Sequence, residues 1–159
     1  MDRLLVADAG PVIHLTQADA ISLLEQIGSL AVPETVLNEL ARGSVDLSPI
    51  DYDLVNVAVD IDTAYPHLDP GETAALAYCV ERGGILITDD LAAREAADTE
   101  GVESHGSIGV ILYGYSDSDL SATEAKRLLR TLQQDTNLYL STPLVEHAIE
   151  LVDSDDAGW

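Results

Sequence analysis

The chain has 159 residues, enough for one domain with a buried core and short for two. Apolar residues make up 47% and fall in periodic segments, so the 29 acidic against 7 basic residues, net −22, mark an acidic surface and not a disordered chain. A single cysteine, Cys79, excludes an intrachain disulfide, and no apolar run approaches the ~20 residues needed to span a bilayer.

In chain order, RLLVAD (3–8) reads as a short apolar strand ending in an acid. PVIHLTQADAISLLEQIG (11–28) has helical spacing interrupted near Ala18-Asp19, which predicts two short helices, the second closed by Gly28. SLAVP is a brief strand, and PETVLNELARG a helix with Pro33 at its first position and Gly43 just past its end. DLVNVAVDID (53–62) alternates as an edge strand does. DPGETAALAYCVERGG (69–84) is a helix, ILIT (85–88) a strand, DLAAREAADTEG (90–101) a helix and VES (102–104) a last small strand. The remaining third, GSIGVILYGY, SATEAKRLLRTLQQ and STPLVEHAIELV, is helical. One domain over 1–152 is expected, with 153–159 (DSDDAGW) as a frayed acidic tail.

Strands alternating with helices of ten or more residues predict a three-layer α/β/α fold around a central parallel sheet. Ligands of such folds sit beyond the carboxyl ends of the strands, where strand order reverses. Asp8 and the pair Asp89-Asp90 are the first polar side chains past two strand ends, so both positions fall on one edge of the sheet.

Singly, each acid has an ordinary structural role open to it. Asp8, Asp89 or Asp90 can cap the helix that follows, and Asp90 stands four residues before Arg94, the spacing of a surface ion pair. Asp69 with Glu72 fits a capping box, and Glu39 can be plain solvation on its helix flank. Together, Asp8, Glu39, Glu72 and Asp89/Asp90 converge on one edge and would repel strongly without a positive charge among them. Oxygen-only donors suit a hard cation, Mg²⁺ or Mn²⁺, and Mg²⁺ is commonly completed by a substrate phosphate.

The motifs LLVADAGPVIHL, VPETVLNEL, DPGETAALAYC and ILITDDLAAREAA are similar, in order and spacing, to those of PIN-domain ribonucleases, and resemble the VapC-like toxin branch, over residues 3 to 112. The resemblance implies an acidic pocket holding one or two divalent ions and hydrolysis of RNA to 5′-phosphate and 3′-hydroxyl ends. By position, Asp8, Glu39, Glu72 and Asp90 match the catalytic acids, Asp89 is an alternative or supporting ligand, and Thr88 can orient a carboxylate or meet substrate. One departure stands out: Gly10 occupies a position where members often carry a hydroxyl that could hold a metal-bound water. None of His14, His67, His105 and His147 has a place that argues for a general base. His14 is expected to pack or face solvent, while free amides at His105-Gly106-Ser107 offer a phosphate a seat, with a plain turn the competing reading.

At ordinary salt a charge of −22 strains a compact state by self-repulsion, but at molar salt the Debye length falls to about 3 Å. The composition therefore points to a salt-adapted, haloarchaeal cytoplasm. Counterion release contributes little there, so RNA capture must lean on metal–phosphate bonds and local cations: Arg94, and Lys126, Arg127 and Arg130 within one helix. An ordinary solvated face is the competing reading of that helix. Expected partners are RNA, an antitoxin protein reaching over the pocket, and a second copy meeting VILYGY and the C-terminal helices. The alternative function is a PIN-fold module that holds RNA or protein with weak or no catalysis. A receiver-type signalling domain ranks below both, because the only lysine, Lys126, falls on a helix.

Overall fold

The computed structural model describes residues 3–43, 45–117 and 119–159. Five parallel strands, β1 (Arg3–Ala7), β2 (Gly28–Pro33), β3 (Asp53–Val55), β4 (Ile85–Ile87) and β5 (Ser104–His105), form a sheet in the order β3-β2-β1-β4-β5. Helices α1 (Ala9–Gln17) and α2 (Leu23–Ile27) lead from β1 to β2, and α3 (Glu34–Leu40) follows β2. Helix α4 (Pro70–Arg82) precedes β4, and α5 (Leu91–Thr99) links β4 to β5. Three helices follow: α6 (Ser107–Ser116), α7 (Ala122–Asp135) and α8 (Thr142–Asp153). This is the α/β/α architecture expected from the alternation of strands and helices.

Both sheet faces are covered, and the period-two alternation of strand side chains divides the core accordingly. Leu5, Ala7, Leu30, Val32 and Ile87 belong to one cluster, with Val12 and Leu15 of α1, Ile111 of α6, Leu129 of α7 and Val145 of α8. Val6, Ala31 and Leu86 belong to the other, against Ala75, Leu76 and Cys79 of α4 and Ala93 and Ala97 of α5. Cys79 is a core residue, its thiol pushed up to about 12 by burial.

Strand order reverses beside β1: β2 and β3 lie to one side, β4 and β5 to the other. Ala7 is in register with Ile87, and the Asp8 amide donates to the Ile87 carbonyl at 2.9 Å. The carboxyl ends of β1 and β4 are thus side by side, and the crevice of a doubly wound sheet opens there.

Several local expectations are corrected. The strand over 53–62 shortens to Asp53–Val55, because Asp60 accepts from the Asp62 amide at 3.0 Å and makes a solvated turn instead of a ladder. Pro33 ends β2 and caps α3 in an extended conformation (φ −61, ψ 146), so the helix starts one residue later. Gly28 ends α2 with extended, not left-handed, geometry because it already opens β2. Val110, Ile111 and Leu112 are buried in the core, so most of VILYGY is not a surface for self-association. The final residues fold back: the Trp159 indole N–H donates to the Gly109 carbonyl at 2.8 Å, and its ring stacks on His105 with centroids 3.7 Å apart.

Candidate metal centre

Each acid reaches the crevice by a local rule. Asp8 caps α1, accepting from the Ala9 amide at 2.8 Å through Oδ1 and from the Thr88 hydroxyl at 2.9 Å through Oδ2. It is 5% exposed, and burial pushes its carboxyl up to about 7, against the opposing pull of those two hydrogen bonds. Asp69 caps α4 and forms a capping box with Glu72: Asp69 Oδ1 accepts from the Glu72 amide at 2.8 Å, and Glu72 Oε2 accepts from the Asp69 amide at 3.2 Å. Burial first, and the neighbouring carboxylates Asp69, Asp8 and Asp90 after it, raise Glu72 to about 7. Glu39, on α3, accepts from the Gly71 amide at 2.9 Å and is raised by burial and by Asp69. Asp90 caps α5 through the Ala93 amide at 2.9 Å.

Asp8, Glu39, Asp69, Glu72, Asp89 and Asp90 line one cleft with Gly10, His14 and Leu138. Within it, Asp8, Glu39 and Asp69 each offer a carboxylate oxygen within 4.8 Å of the others. Asp69 enters this tight group although its spacing announces only a cap. Glu72 and Asp90 line the same cleft outside it.

The adjacent acids of the β4 end are used differently. Asp89, at the edge of the cleft, bonds to α1 and α6. It accepts from the Ser107 amide at 2.7 Å, the Ser107 hydroxyl at 2.6 Å and His14 Nδ1 at 2.7 Å. An ionised carboxylate only accepts, which assigns a proton to Nδ1. Burial works to raise Asp89, but these bonds outweigh it and hold the carboxyl below the ordinary range. Asp89 therefore ties elements together, and its bond to the Ser107 amide occupies the place proposed for a phosphate at the start of α6. His14 lines the cleft in place of packing apart from it; its contact with Asp89, 75 residues away, leaves no local signal. Gly10 lies one turn before it, where a Cβ would meet only the imidazole, at 3.7 Å.

Thr88 is fully buried, and its hydroxyl donates to Asp8 and orients that carboxylate. Arg94 forms no ion pair with Asp90: its Nε donates to the Thr88 carbonyl at 3.1 Å. Lys126 pairs with Asp153 at 2.8 Å, and neither it nor Arg127 nor Arg130 lines the cleft. Those three expected phosphate contacts are not brought to the acids.

A family model described as PIN domain matches residues 4–154. The chain belongs to the PIN-domain family. No curated protein matches it. Among solved structures it is similar in fold to a PilT N-terminus domain protein of Sulfolobus solfataricus, with a TM-score of 0.52 and 11% identity, covering 86% of this chain and 99% of that one.

The donor set of this PIN domain fits a divalent cation. Its tight group consists of carboxylates alone, which is hard-ligand chemistry. Burial first, and neighbouring carboxylates after it, raise Asp8 and Glu72, so a cation placed among them relieves a penalty already present. Gly71 makes the group possible: a Cβ there would lie 2.6 Å from Glu39 Oε1 and 2.8 Å from Oε2. Gly71→Ala is expected to swing Glu39 off the Gly71 amide and weaken Mn²⁺ binding by about 10–100-fold. Its melting temperature should fall only slightly, since what alanine gains over glycine in a helix partly offsets the amide that loses Glu39. Calorimetric Mn²⁺ titration beside thermal unfolding checks both halves.

Proposed function

We propose that this PIN domain is a divalent-metal-dependent endoribonuclease of the VapC-like branch, the toxin of a toxin–antitoxin pair in a haloarchaeal cytoplasm. The observation that carries the reading is the gathering of Asp8, Glu39, Asp69, Glu72 and Asp90 in one cleft at the switch point of a parallel sheet. PIN domains are commonly metal-dependent nucleases, and the carboxylate set matches that use. Asp8, Glu39 and Asp69 would hold Mg²⁺ or Mn²⁺, and Glu72 and Asp90, lining the same cleft, would add negative charge toward the ion.

Bound there, a divalent ion activates water and neutralises charge on a phosphodiester. Thr88 and the Ala9 amide fix the Asp8 carboxylate, the Gly71 amide fixes Glu39, and the capping box fixes Asp69 against Glu72. Held this way, the acids need no rearrangement when substrate arrives. Partners in this reading are RNA, an antitoxin whose cationic side chain reaches the acids, and a second copy in a homodimer. Among the described residues, no helix is long and apolar enough to cross a membrane.

The test is RNA cleavage in molar KCl with Mg²⁺ or Mn²⁺. The parent should yield 5′-phosphate ends, and Asp90→Asn should cut more slowly. A folded, metal-loaded parent that cuts no RNA would favour the alternative of a binding module.

A further inference from the structure

A second concavity adjoins the acidic cleft. It has a volume of about 370 Å³ and shares Asp89 and Leu138 with the cleft, so the two lie side by side. Its size falls in the range of roughly 300–1,000 Å³ typical of small-ligand sites. Three large apolar side chains that the fold leaves exposed meet there: Tyr139 at 90%, Leu91 at 71% and Leu144 at 46%. The Trp159 indole, pinned by its stack on His105 and its bond to Gly109, is part of the wall.

The concavity also contains a cation. Arg94 lines it, fixed through Nε to the Thr88 carbonyl, and takes part in no ion pair among the described residues. Its guanidinium presses on Gly106, where a Cβ would lie 1.8 Å from the terminal nitrogen, so glycine is needed for this arginine to lie there. The same Cβ would lie 2.6 Å from Asp89 Oδ1, so that carboxylate stands near the guanidinium, and in a chain of net −22 an arginine held beside an acidic cleft is suited to share its charge with an anion brought by a ligand.

Exposed aromatic surface next to a fixed arginine is how unpaired nucleotides are held: the ring face takes the base, the guanidinium the phosphate. We propose that this groove is a subsite for one unpaired nucleotide of an RNA strand, adjacent to the phosphodiester held over the acids. Tyr139 supplies the stacking face, Trp159 and Leu91 the flanking walls, and Arg94 the phosphate contact. The proposal rests on the nuclease reading and deepens it by assigning where the strand lies. It also explains how a strongly acidic protein in molar salt holds RNA: stacking is not screened, whereas a diffuse basic surface would be.

Trp159 is the chain's only tryptophan, which makes its fluorescence a direct reporter. The experiment titrates adenosine and uridine 5′-monophosphates into the protein in molar KCl with Mg²⁺, beside Tyr139→Ala, Arg94→Gln and an inorganic phosphate control. Saturable quenching by the nucleotides and none by phosphate is expected. Tyr139→Ala and Arg94→Gln should each raise the apparent Kd by about 5-fold or more. Tyr139 is so exposed that its truncation leaves folding intact, and Mn²⁺ affinity in that variant should equal the parent's.

Quenching that is absent, or unchanged in Tyr139→Ala, overturns the subsite. So does a Trp159 signal that tracks protein concentration together with a doubled mass, which would assign the groove to a second copy. A parent that binds no Mn²⁺ removes the nuclease reading and the subsite together. A parent that binds Mn²⁺ and cuts RNA with the same KM as Tyr139→Ala removes the subsite alone.

Discussion

Asp8→Asn is expected to slow cleavage by orders of magnitude and, in metal-free protein at pH 8, to make the fold more stable. The two effects share one cause. Burial raises the Asp8 carboxyl from 3.8 to about 7, so ionising it in the folded state is penalised. A group raised in this direction contributes stability that is complete below its unfolded value of 3.8 and is lost as pH rises through about 7. At pH 8 the loss is on the order of a few kcal/mol, and asparagine avoids it. The variant keeps an oxygen for the Ala9 amide, so the start of α1 stays capped. Its advantage should shrink steadily as pH falls from about 7 toward 4, which thermal unfolding in chelator across that range will show. Added Mg²⁺ or Mn²⁺ should narrow the gap, since the parent gains about 2.7 kcal/mol at a ligand concentration 100 times Kd, and close it at roughly 1,000 times Kd, where the gain is about 4.1 kcal/mol. Cleavage should fall by about 10²–10⁴-fold, the several kcal/mol a metal supplies to a phosphoryl transition state.

The neighbouring acids of the β4 end should separate cleanly. Asp89→Ala is expected to cost about 3–5 kcal/mol, because it strands the Ser107 amide and hydroxyl and His14 Nδ1 in a largely buried setting. At this chain length that lowers the melting temperature by on the order of 10 °C. Asp90→Ala removes one part-buried cap bond, from Ala93, and should cost about 1 kcal/mol while still slowing cleavage. The pH signs also differ. Asp89 is held below its ordinary value, so the stability it contributes is present at neutral pH and is lost as pH falls through its folded value. Asp8 behaves oppositely. Urea unfolding of the two alanine variants at neutral pH tests the first contrast; equal losses would mean that Asp89 is not the tie the structure makes it.

What the sequence makes legible here follows from how local each signal is. Asp8 and Asp90 are visible because a strand end followed by a helix cap is written in adjacent residues, and parallel strands put all such ends on one edge. Glu72 is visible as part of GET behind a helix-starting proline. Asp69 is harder, since the capping box fully accounts for its spacing. Its second role depends on α3 bringing Glu39 to the start of α4, a contact spanning 32 residues between Glu39 and Gly71. His14 and Ser107 are further out of reach, because what joins them to Asp89 is packing between α1 and α6 across the sheet edge. The basic cluster on α7 shows the opposite error. Three cations in five positions look like a phosphate grip, but Leu128, Leu129 and Leu132 set which face of that helix is buried, and Lys126 meets Asp153 instead. Exposed apolar residues such as Tyr139 carry no pattern at all until the fold places them beside Arg94.

The central claim is that Asp8, Glu39 and Asp69, with Glu72 and Asp90 beside them, form a seat for one or two divalent cations. Calorimetric titration of Mn²⁺ into metal-free protein at pH 8 in molar KCl measures it most directly. Saturable binding by the parent that disappears in Asp8→Asn is the predicted result; heat that is absent from a folded parent, or identical in the two proteins, would contradict it.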